Sequence, residues 1–287
     1  MKKILITGAN SYVGTSFEKW VEQYPESYQV DTVDTRAYSW RERNFSEYDV
    51  VFHVAGIAHV SSDPKMEDLY YKVNRELTIE AAKKAKAEGV KQFIFMSSII
   101  VYGDSSDSKR VITRETKPVP SDFYGDSKLQ AEQGIIPLQD KDFNVVILRP
   151  PMIYGKNSKG NYPKLSKLAK ITPLFPDMEN QRSMLHIDNL CEFIKLMIDF
   201  DEAGVFFPQN SEYVKTSELV KNIAEVSGRK VWLTKMFNPF LEMMIDFKII
   251  RKAFGNLVYE KSISYYDKAN YRVRNLNESI ELTESLR

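Results

Sequence analysis

Cysteine is nearly missing from this chain: Cys191 is the only one in 287 residues. An internal disulfide is excluded, and a reducing compartment is expected. Histidine is scarce as well. His53, His59 and His186 are scattered, and with one cysteine they make no set of metal ligands. Charge of one sign is lacking, with 40 Lys+Arg against 39 Asp+Glu. No basic block interleaves with aromatics, so the electrostatic footprint of a nucleic-acid binder is missing. No apolar run approaches the length of a membrane span. Met1-Lys2-Lys3-Ile4-Leu5-Ile6 begins like a signal peptide, but Thr7-Gly8-Ala9-Asn10 cuts the apolar run too early. A cytoplasmic protein is the expectation. No internal repeat or low-complexity segment is present.

What the chain does have is 43% apolar residues in a rhythm of short runs, enough to bury a core without disulfides or metals. Ile4–Thr7, Gln29–Val33, Val50–Val54, Gln92–Met96 and Val145–Leu148 read as buried strands. Between them, Tyr12–Tyr24 and Met66–Glu88 read as helices. Leu69, Val73, Leu77 and Ala81 fall on one face of the second, and Gly89 closes it. Strand and helix in alternation argue for a parallel sheet covered on both faces. Residues 34–49 are too few for a full crossover helix, so a loop or a reduced helix is expected there. After Pro150-Pro151 the rhythm changes. Pro163–Ile171, Asp188–Phe200 and Thr216–Val226 look helical, the last opened by Thr216 or Ser217 and ended by Gly228. Beyond Asn238 the tail mixes Phe, Met and Ile with charges. A membrane-surface helix is one reading, but apolar residues at this spacing are usually core, and core is the expectation.

Strand Ile4–Thr7 runs into Gly8-Ala9-Asn10-Ser11-Tyr12-Val13-Gly14 and then a helix. A pyrophosphate needs backbone N–H groups at a helix N-terminus and residues without bulk where the chain approaches it. Gly8 suits the tight turn and Gly14 the close packing of helix on strand. Ser11 stands where a middle glycine is usual; it is small, and its hydroxyl is a candidate phosphate contact. Asp34 lies 26 residues after Gly8, at the end of the second strand. A carboxylate there accepts from the adenine ribose and repels a 2′-phosphate, favouring NAD over NADP. Arg36 is the counter-argument, and Asp31 is the competing carboxylate. At the end of the third strand, Ala55-Gly56 leaves room for a cofactor.

Tyr124-Gly125-Asp126-Ser127-Lys128 opens a helix expected to reach Ile136, just before Pro137. Four residues apart, Tyr124 and Lys128 share a face. An adjacent ammonium and a positive nicotinamide ring would lower the phenol pKa and make the tyrosine a usable base. Lysine can also hold the nicotinamide ribose. Strand Gln92–Met96 ends in Ser97-Ser98. Ser98 is the candidate to hydrogen-bond the substrate oxygen on which Tyr124 acts, with Ser97 as alternative or cofactor contact.

These pieces resemble an extended short-chain dehydrogenase/reductase of the NAD-dependent nucleotide-sugar epimerase/dehydratase group. The matching segments are TGANSYVG, DVVFHVAG, YYKVN, FMSSIIVYG, YGDSK, LRPPMIYG and RSMLHIDNL, covering roughly residues 1–200 in the family's order. Within the family the chain resembles epimerase-like proteins of Gram-positive capsular-polysaccharide loci. The resemblance implies a Rossmann-type doubly wound parallel sheet in an α/β chain. Residues 1–155 would hold NAD and the catalytic Ser98, Tyr124 and Lys128. Residues 156–287 would form mainly a small α/β substrate-binding region, interleaved with the core. It adds Asn74 and Pro150 to the cofactor contacts Gly8, Asn10, Ser11, Tyr12, Val13, Gly14, Asp34, Ala55, Gly56 and Ser97. Arg182 takes the place of the arginine that grips the nucleotide diphosphate. A homodimer through the Met66–Glu88 and Tyr124–Ile136 helices is implied too.

The family's dehydratases carry Asp and Glu immediately after the hydroxyl residue; this chain has Ile99-Ile100, which cannot move protons. Epimerases acting at C3 and C5 need a further acid/base pair, often Cys and His, and no cysteine lies near Ser98. What remains is 4-epimerisation of a nucleotide-activated sugar or reduction of a keto-sugar, and Asp34 tilts towards the NAD-retaining epimerase. Arg149-Pro150-Pro151-Met152 lacks the Asn of UDP-hexose 4-epimerases. Asn161 and Lys159 are candidates to contact the diphosphate instead. A non-catalytic dinucleotide-binding role stays open, because fold does not fix function; the retained Tyr and Lys weigh against it.

Overall fold

The computed structural model describes residues 1–58, 63–105, 110–244 and 247–285. His59 lies outside them. The chain forms two compact units: Met1–Gly103 with Lys117–Pro150 and Leu190–Pro208, and Asp104–Thr116 with Pro151–Asn189 and Gln209–Arg287.

The first unit carries a six-stranded parallel sheet in the order Gly204–Phe206, Asn144–Leu148, Gln92–Met96, Val50–His53, Lys2–Thr7, Tyr28–Val33. Ile4, Leu5, Ile6, Val51, Phe52 and Phe93 are fully buried, as expected of strands covered on both faces. The order runs outward in both directions from Lys2–Thr7, so a switch point lies at that strand's C-terminal end, where such sheets take ligands. The strand Gly204–Phe206 was not anticipated. It is only three residues long and begins with a glycine, but it pairs with Val146–Leu148. Between Val33 and Val50 only the 3-10 turn Tyr38–Arg41 forms, the reduced helix expected. The first helix stops at Val21 rather than Tyr24, because the chain turns there ahead of Pro25 and Tyr24 N–H bonds the Val21 carbonyl at 2.9 Å.

The expected Met66–Glu88 helix is not continuous. An α turn Glu67–Tyr70 passes into a π segment Tyr71–Glu76 and then an α-helix Leu77–Ala87. The buried face is Tyr70, Asn74, Thr78, Ala81 and Ala85, while Leu69 is exposed. The stripe is therefore turned from the one that apolar spacing indicates. Asn74 and Thr78 hold buried positions because their polar atoms find partners, which a hydropathy pattern does not register. Gly89, at φ +81°, ends the helix: its N–H bonds Lys86 and that of Val90 bonds Ala85, the αL closure expected of it.

In the second unit, helices Tyr162–Ile171, Thr216–Val226 and Leu276–Glu284 surround a core with Tyr154, Phe175, Met184 and Ile223. Three short parallel strand pairs brace it. Neither Thr216 nor Ser217 caps its helix; Lys215 is the cap residue. The two hydroxyls are already used, Thr216 on the Ala253 carbonyl at 2.8 Å and Ser217 on Asp177 at 3.1 Å. The tail meets the expectation of core in part: Phe254, Val258, Ile263 and Ile280 are buried, but the residues ahead of them are not. Helix Asn238–Met243 turns only Leu241 towards the core, and Phe237, Phe240, Met243 and Phe247 are exposed.

Candidate dinucleotide and catalytic site

The turn after strand Lys2–Thr7 has the backbone that a pyrophosphate cradle demands. Gly8 sits at φ +106° and Asn10 at φ +63°, a region open to glycine and tolerated by asparagine. A Cβ on Gly8 would stand 2.7 Å from the Ala55 nitrogen, so Ala55 lies directly against the turn. Ser11 is the N-cap of helix Tyr12–Val21, its Oγ accepting from the Gly14 N–H at 3.1 Å. The serine in the middle glycine's place thus has a structural task, satisfying one orphan donor of the first turn. Gly14 itself faces Ile6, where a Cβ would come within 3.0 Å of the side chain.

Val33 accepts from both the Gly8 and Ala9 N–H groups, at 3.0 and 3.2 Å, which puts the adjoining Asp34 beside the cradle. Asp31 is on the strand paired with Leu5 and holds the Tyr48 hydroxyl at 2.7 Å, so it does not compete. The Asp34 carboxylate is gripped by Arg36, whose Nη2 lies 2.6 Å away. Those hydrogen bonds hold the carboxyl well below its ordinary range, at about 2.

Helix Phe123–Ile135 starts at Asp122, whose side chain accepts from the Gly125 N–H at 2.9 Å. Gly125 permits the approach that matters most: a Cβ there would meet the Ile100 carbonyl at 2.7 Å and Pro120 at 3.0 Å. That contact brings the start of the Tyr124 helix against the turn that Ser98 opens, close enough for the serine side chain to act on the phenol. Ser98 caps the turn Ile99–Tyr102, accepting from the Ile100 N–H at 3.3 Å. Tyr124 packs edge-on against the buried Tyr70, with ring centroids 5.7 Å apart. Burial pushes its phenol up to about 12, with the Ser98 side chain acting the other way. The lowering expected from the Lys128 ammonium is not among the effects on the phenol; the two further ones, from Tyr70 and Asp122, raise it.

Lys128 is buried, and its Nζ donates to the Met96 carbonyl at 2.9 Å while lying 4.7 Å from the Phe95 ring centroid. Burial draws its pKa down to about 8, with Glu132 one turn on pulling it back up. Gly56 closes over the amine; a Cβ on it would stand 3.2 Å from Lys128 Nζ and 3.1 Å from Asn74 Oδ1.

Ser97, Asn74 and Pro150 are brought to the same region with their polar groups engaged. Ser97 donates its hydroxyl to Glu132, and Arg149 holds that carboxylate from the other side, Nε at 3.1 Å and Nη2 at 2.5 Å, while reaching Tyr102 at 2.6 Å. Asn74, on the π segment, clamps Ile57 through both backbone groups and meets Ser127 at 3.2 Å. Such π segments recur at functional sites. The Pro150 carbonyl takes the Ile99 N–H at 2.9 Å, fixing the turn that Ser98 opens.

In the second unit a small pocket of about 20 Å³ is lined by Met152, Asn161, Arg182, Thr216, Lys252 and other residues. Asn161 and Arg182 are therefore together, whereas Lys159 is exposed and not among the lining residues. Arg182 Nη1 donates to the Lys252 and Gly255 carbonyls, each at 3.1 Å. Burial lowers its pKa, with Asp104 opposing. His186 is buried and neutral, pulled down to about 4 by desolvation. His53 is held between Thr7 and Thr78 and lowered to about 3. Both are structural, and no cluster of metal-ligating side chains occurs among the described residues.

The model of the NAD-dependent epimerase/dehydratase family matches residues 4–207. The chain belongs to that family. A UDP-glucose 4-epimerase of Vibrio cholerae is 34% identical over 80% of this chain and 77% of its own length. An N-acetyl-alpha-D-glucosaminyl-diphospho-ditrans,octacis-undecaprenol 4-epimerase of Escherichia coli O157:H7 is 27% identical over 79% and 73%. The fold matches a UDP-glucuronic acid 4-epimerase of Bacillus cereus in complex with NAD, at TM-score 0.71, 16% identity, and 98% and 96% coverage.

As a family member the enzyme takes NAD, and its residues fit that group: the φ +106° turn at Gly8 and the space above Gly56 are ones a Cβ would fill. Sequence reading missed Gly125, Glu132 and Tyr70, which hold the site without being its reactive groups. Gly125 carries a signal in its position between Tyr124 and Lys128, but nothing in the sequence says that Ile100 lies opposite.

Proposed function

We propose that this enzyme inverts the C4 hydroxyl of a nucleotide-activated sugar, of the UDP-hexose or UDP-N-acetylhexosamine type, for surface polysaccharide synthesis. The observation that carries the reading is the Tyr124 phenol beside Ser98, with Ile99 and Ile100 following that serine in the turn: one acid/base stands by the hydroxyl, and the two residues after it carry no carboxylate. That suffices for oxidation of one hydroxyl and its return, and not for dehydration.

The Gly8 turn, Asp34 and Lys128 would hold NAD, which would supply reversible hydride acceptance. The chain's own residues handle the proton. Tyr124 takes it from the C4 hydroxyl and restores it after the 4-keto sugar has presented its other face, with Ser98 holding the same oxygen. The Lys128 ammonium, together with the positive charge of the oxidised ring, would bring the buried phenol into a usable range. Arg182, the half-desolvated guanidinium of the second unit's pocket, suits the diphosphate. Asn161 begins helix Tyr162–Ile171 in the same pocket, where helix N-terminal N–H groups favour anions.

The test is to denature purified protein, identify any nucleotide released, and then incubate fresh enzyme with UDP-sugars without added reductant. Tightly held NAD with interconversion at C4 is expected. Turnover only with added NADPH and a keto-sugar would replace the epimerase by a reductase, and no dinucleotide binding at all would leave a non-catalytic protein.

A further inference from the structure

The exposed tail residues of the second unit form a feature that sugar chemistry does not use. Trp232, Met236, Phe240, Met243 and Phe247 are 69%, 72%, 59%, 74% and 61% exposed. Leu174, the strand partner of Trp232, is exposed as well. With about 200 Å² per large side chain, these and Phe237 present roughly 600–800 Å² of apolar surface. Soluble monomers rarely leave so large a patch bare unless it binds something.

Its charge says what. Residues 229–254 contain six basic residues (Arg229, Lys230, Lys235, Lys248, Arg251, Lys252) and two acidic ones (Glu242, Asp246), a net +4 where the entire chain is only +1. Pairing this patch with itself across a two-fold axis would set like charges against each other. An anionic bilayer surface meets both requirements: it accepts Phe, Met and Trp at the headgroup boundary and attracts Lys and Arg around them. We propose that Trp232, Met236, Phe240, Met243 and Phe247 are a membrane-surface anchor, resting in the interface of an anionic bilayer without spanning it. Among the described residues no helix is long and apolar enough to cross one. Lys252 and Ala253, a few residues on, line the Arg182 pocket, so the anchor places that pocket's wall next to the lipid. The proposal does not depend on which sugar position reacts.

The full chain is floated with vesicles of phosphatidylcholine alone and of phosphatidylcholine with phosphatidylglycerol. Recovery with the anionic vesicles, falling as salt is added, and a blue shift of tryptophan emission are expected. The Phe240→Ser/Phe247→Ser double variant should lose about ten-fold in vesicle partition while keeping its thermal midpoint and its turnover of soluble substrate. Lys235→Glu should weaken binding to the anionic vesicles only. Absence of binding to both vesicles, or binding unchanged in the double variant, overturns the proposal. So does a dimer in sedimentation that the double variant converts to monomer without vesicle binding by the wild type, since a second copy is then the occupant.

Discussion

A Cβ placed on Gly125 would stand 2.7 Å from the carbonyl oxygen of Ile100. Two segments that carry the reactive groups are pressed together at this point: the helix of Tyr124 and Lys128, and the turn that Ser98 caps. Backbone cannot yield as a flexible side chain would, so Gly125→Ala must move the helix. The substitution is expected to cost about 1–3 kcal/mol of stability by overpacking and to lower kcat about 100-fold by separating Tyr124 from Ser98. Dinucleotide binding, which also rests on the Gly8 turn and Asp34 outside this helix, should fall less than kcat. Calorimetry and steady-state kinetics on one preparation decide it; near-normal kcat would show that the close approach is incidental.

Tyr124→Phe removes the proposed proton-handling group beside Ser98. Turnover should fall by about 10²–10⁴-fold with NAD binding intact, because Lys128 and the Gly8 turn are untouched. Turnover within a few-fold of wild type would take Tyr124 out of its role.

Lys128 gives the clearest pH dependence. Its folded pKa of about 8 lies below the ordinary 10.5. The folded chain therefore binds this proton less well than the unfolded chain, so the charged lysine penalises folding below about 8. Stability should rise between pH 8 and about 10.5, by about 3 kcal/mol from this group. Tyr124, raised to about 12 from 10.0, acts oppositely above pH 10, where only the unfolded phenol ionises. Lys128→Met should remove the rise in urea midpoint between pH 8 and 10. Turnover of the wild type should decline above pH 8 as the ammonium is lost. Glu132→Gln removes the charge that supports it, so the decline should move to lower pH; an unmoved profile would mean that Lys128 is not the titrating group.

Glu132 and Arg149 form a buried ion pair, with Glu132 only 1% exposed. Arg149→Met leaves a buried carboxylate without its cation and should cost about 3–5 kcal/mol, whereas Arg149→Met with Glu132→Leu should recover much of the loss. Urea unfolding of the three variants measures the coupling. A loss near that of surface pairs, below about 1 kcal/mol, would count against a structural role for this pair.

The proposed reactive groups stand out in the sequence because their signals are local. Four-residue spacing joins Tyr124 to Lys128, and a strand running into Gly8–Gly14 announces the turn. The supports are made across long separations: Asn74 clamps Ile57, 17 residues away, and Glu132 joins Ser97 from 35 residues away. No periodicity encodes such a contact, and polar residues such as Asn74 and Thr78 read as solvent-facing until their partners are seen. The same limit misplaced Phe240 and Met243 in the tail, where apolar spacing suggests burial but the core of Tyr154, Phe175 and Ile223 is filled without them. Ser11 was legible as a departure, and its use as a helix cap was not.

Asp34 and Arg36 offer a test of cofactor choice. Their close pair keeps the carboxylate ionised to about pH 2, so at neutral pH Asp34 repels a 2′-phosphate and occupies the one nearby guanidinium. Asp34→Ala removes an acceptor for the ribose hydroxyls, worth about ten-fold in NAD affinity by the usual value of a charge-assisted hydrogen bond. It also frees Arg36, which is exposed and suited to bidentate phosphate contact. The ratio of NADP to NAD affinity should therefore rise by about 100-fold, half of it (on a logarithmic scale) from each change. Adding Arg36→Ala to Asp34→Ala should abolish the gain for NADP without restoring NAD. Titration of both dinucleotides into the two variants separates the effects, and an unchanged ratio in Asp34→Ala would show that selectivity resides elsewhere in the cradle.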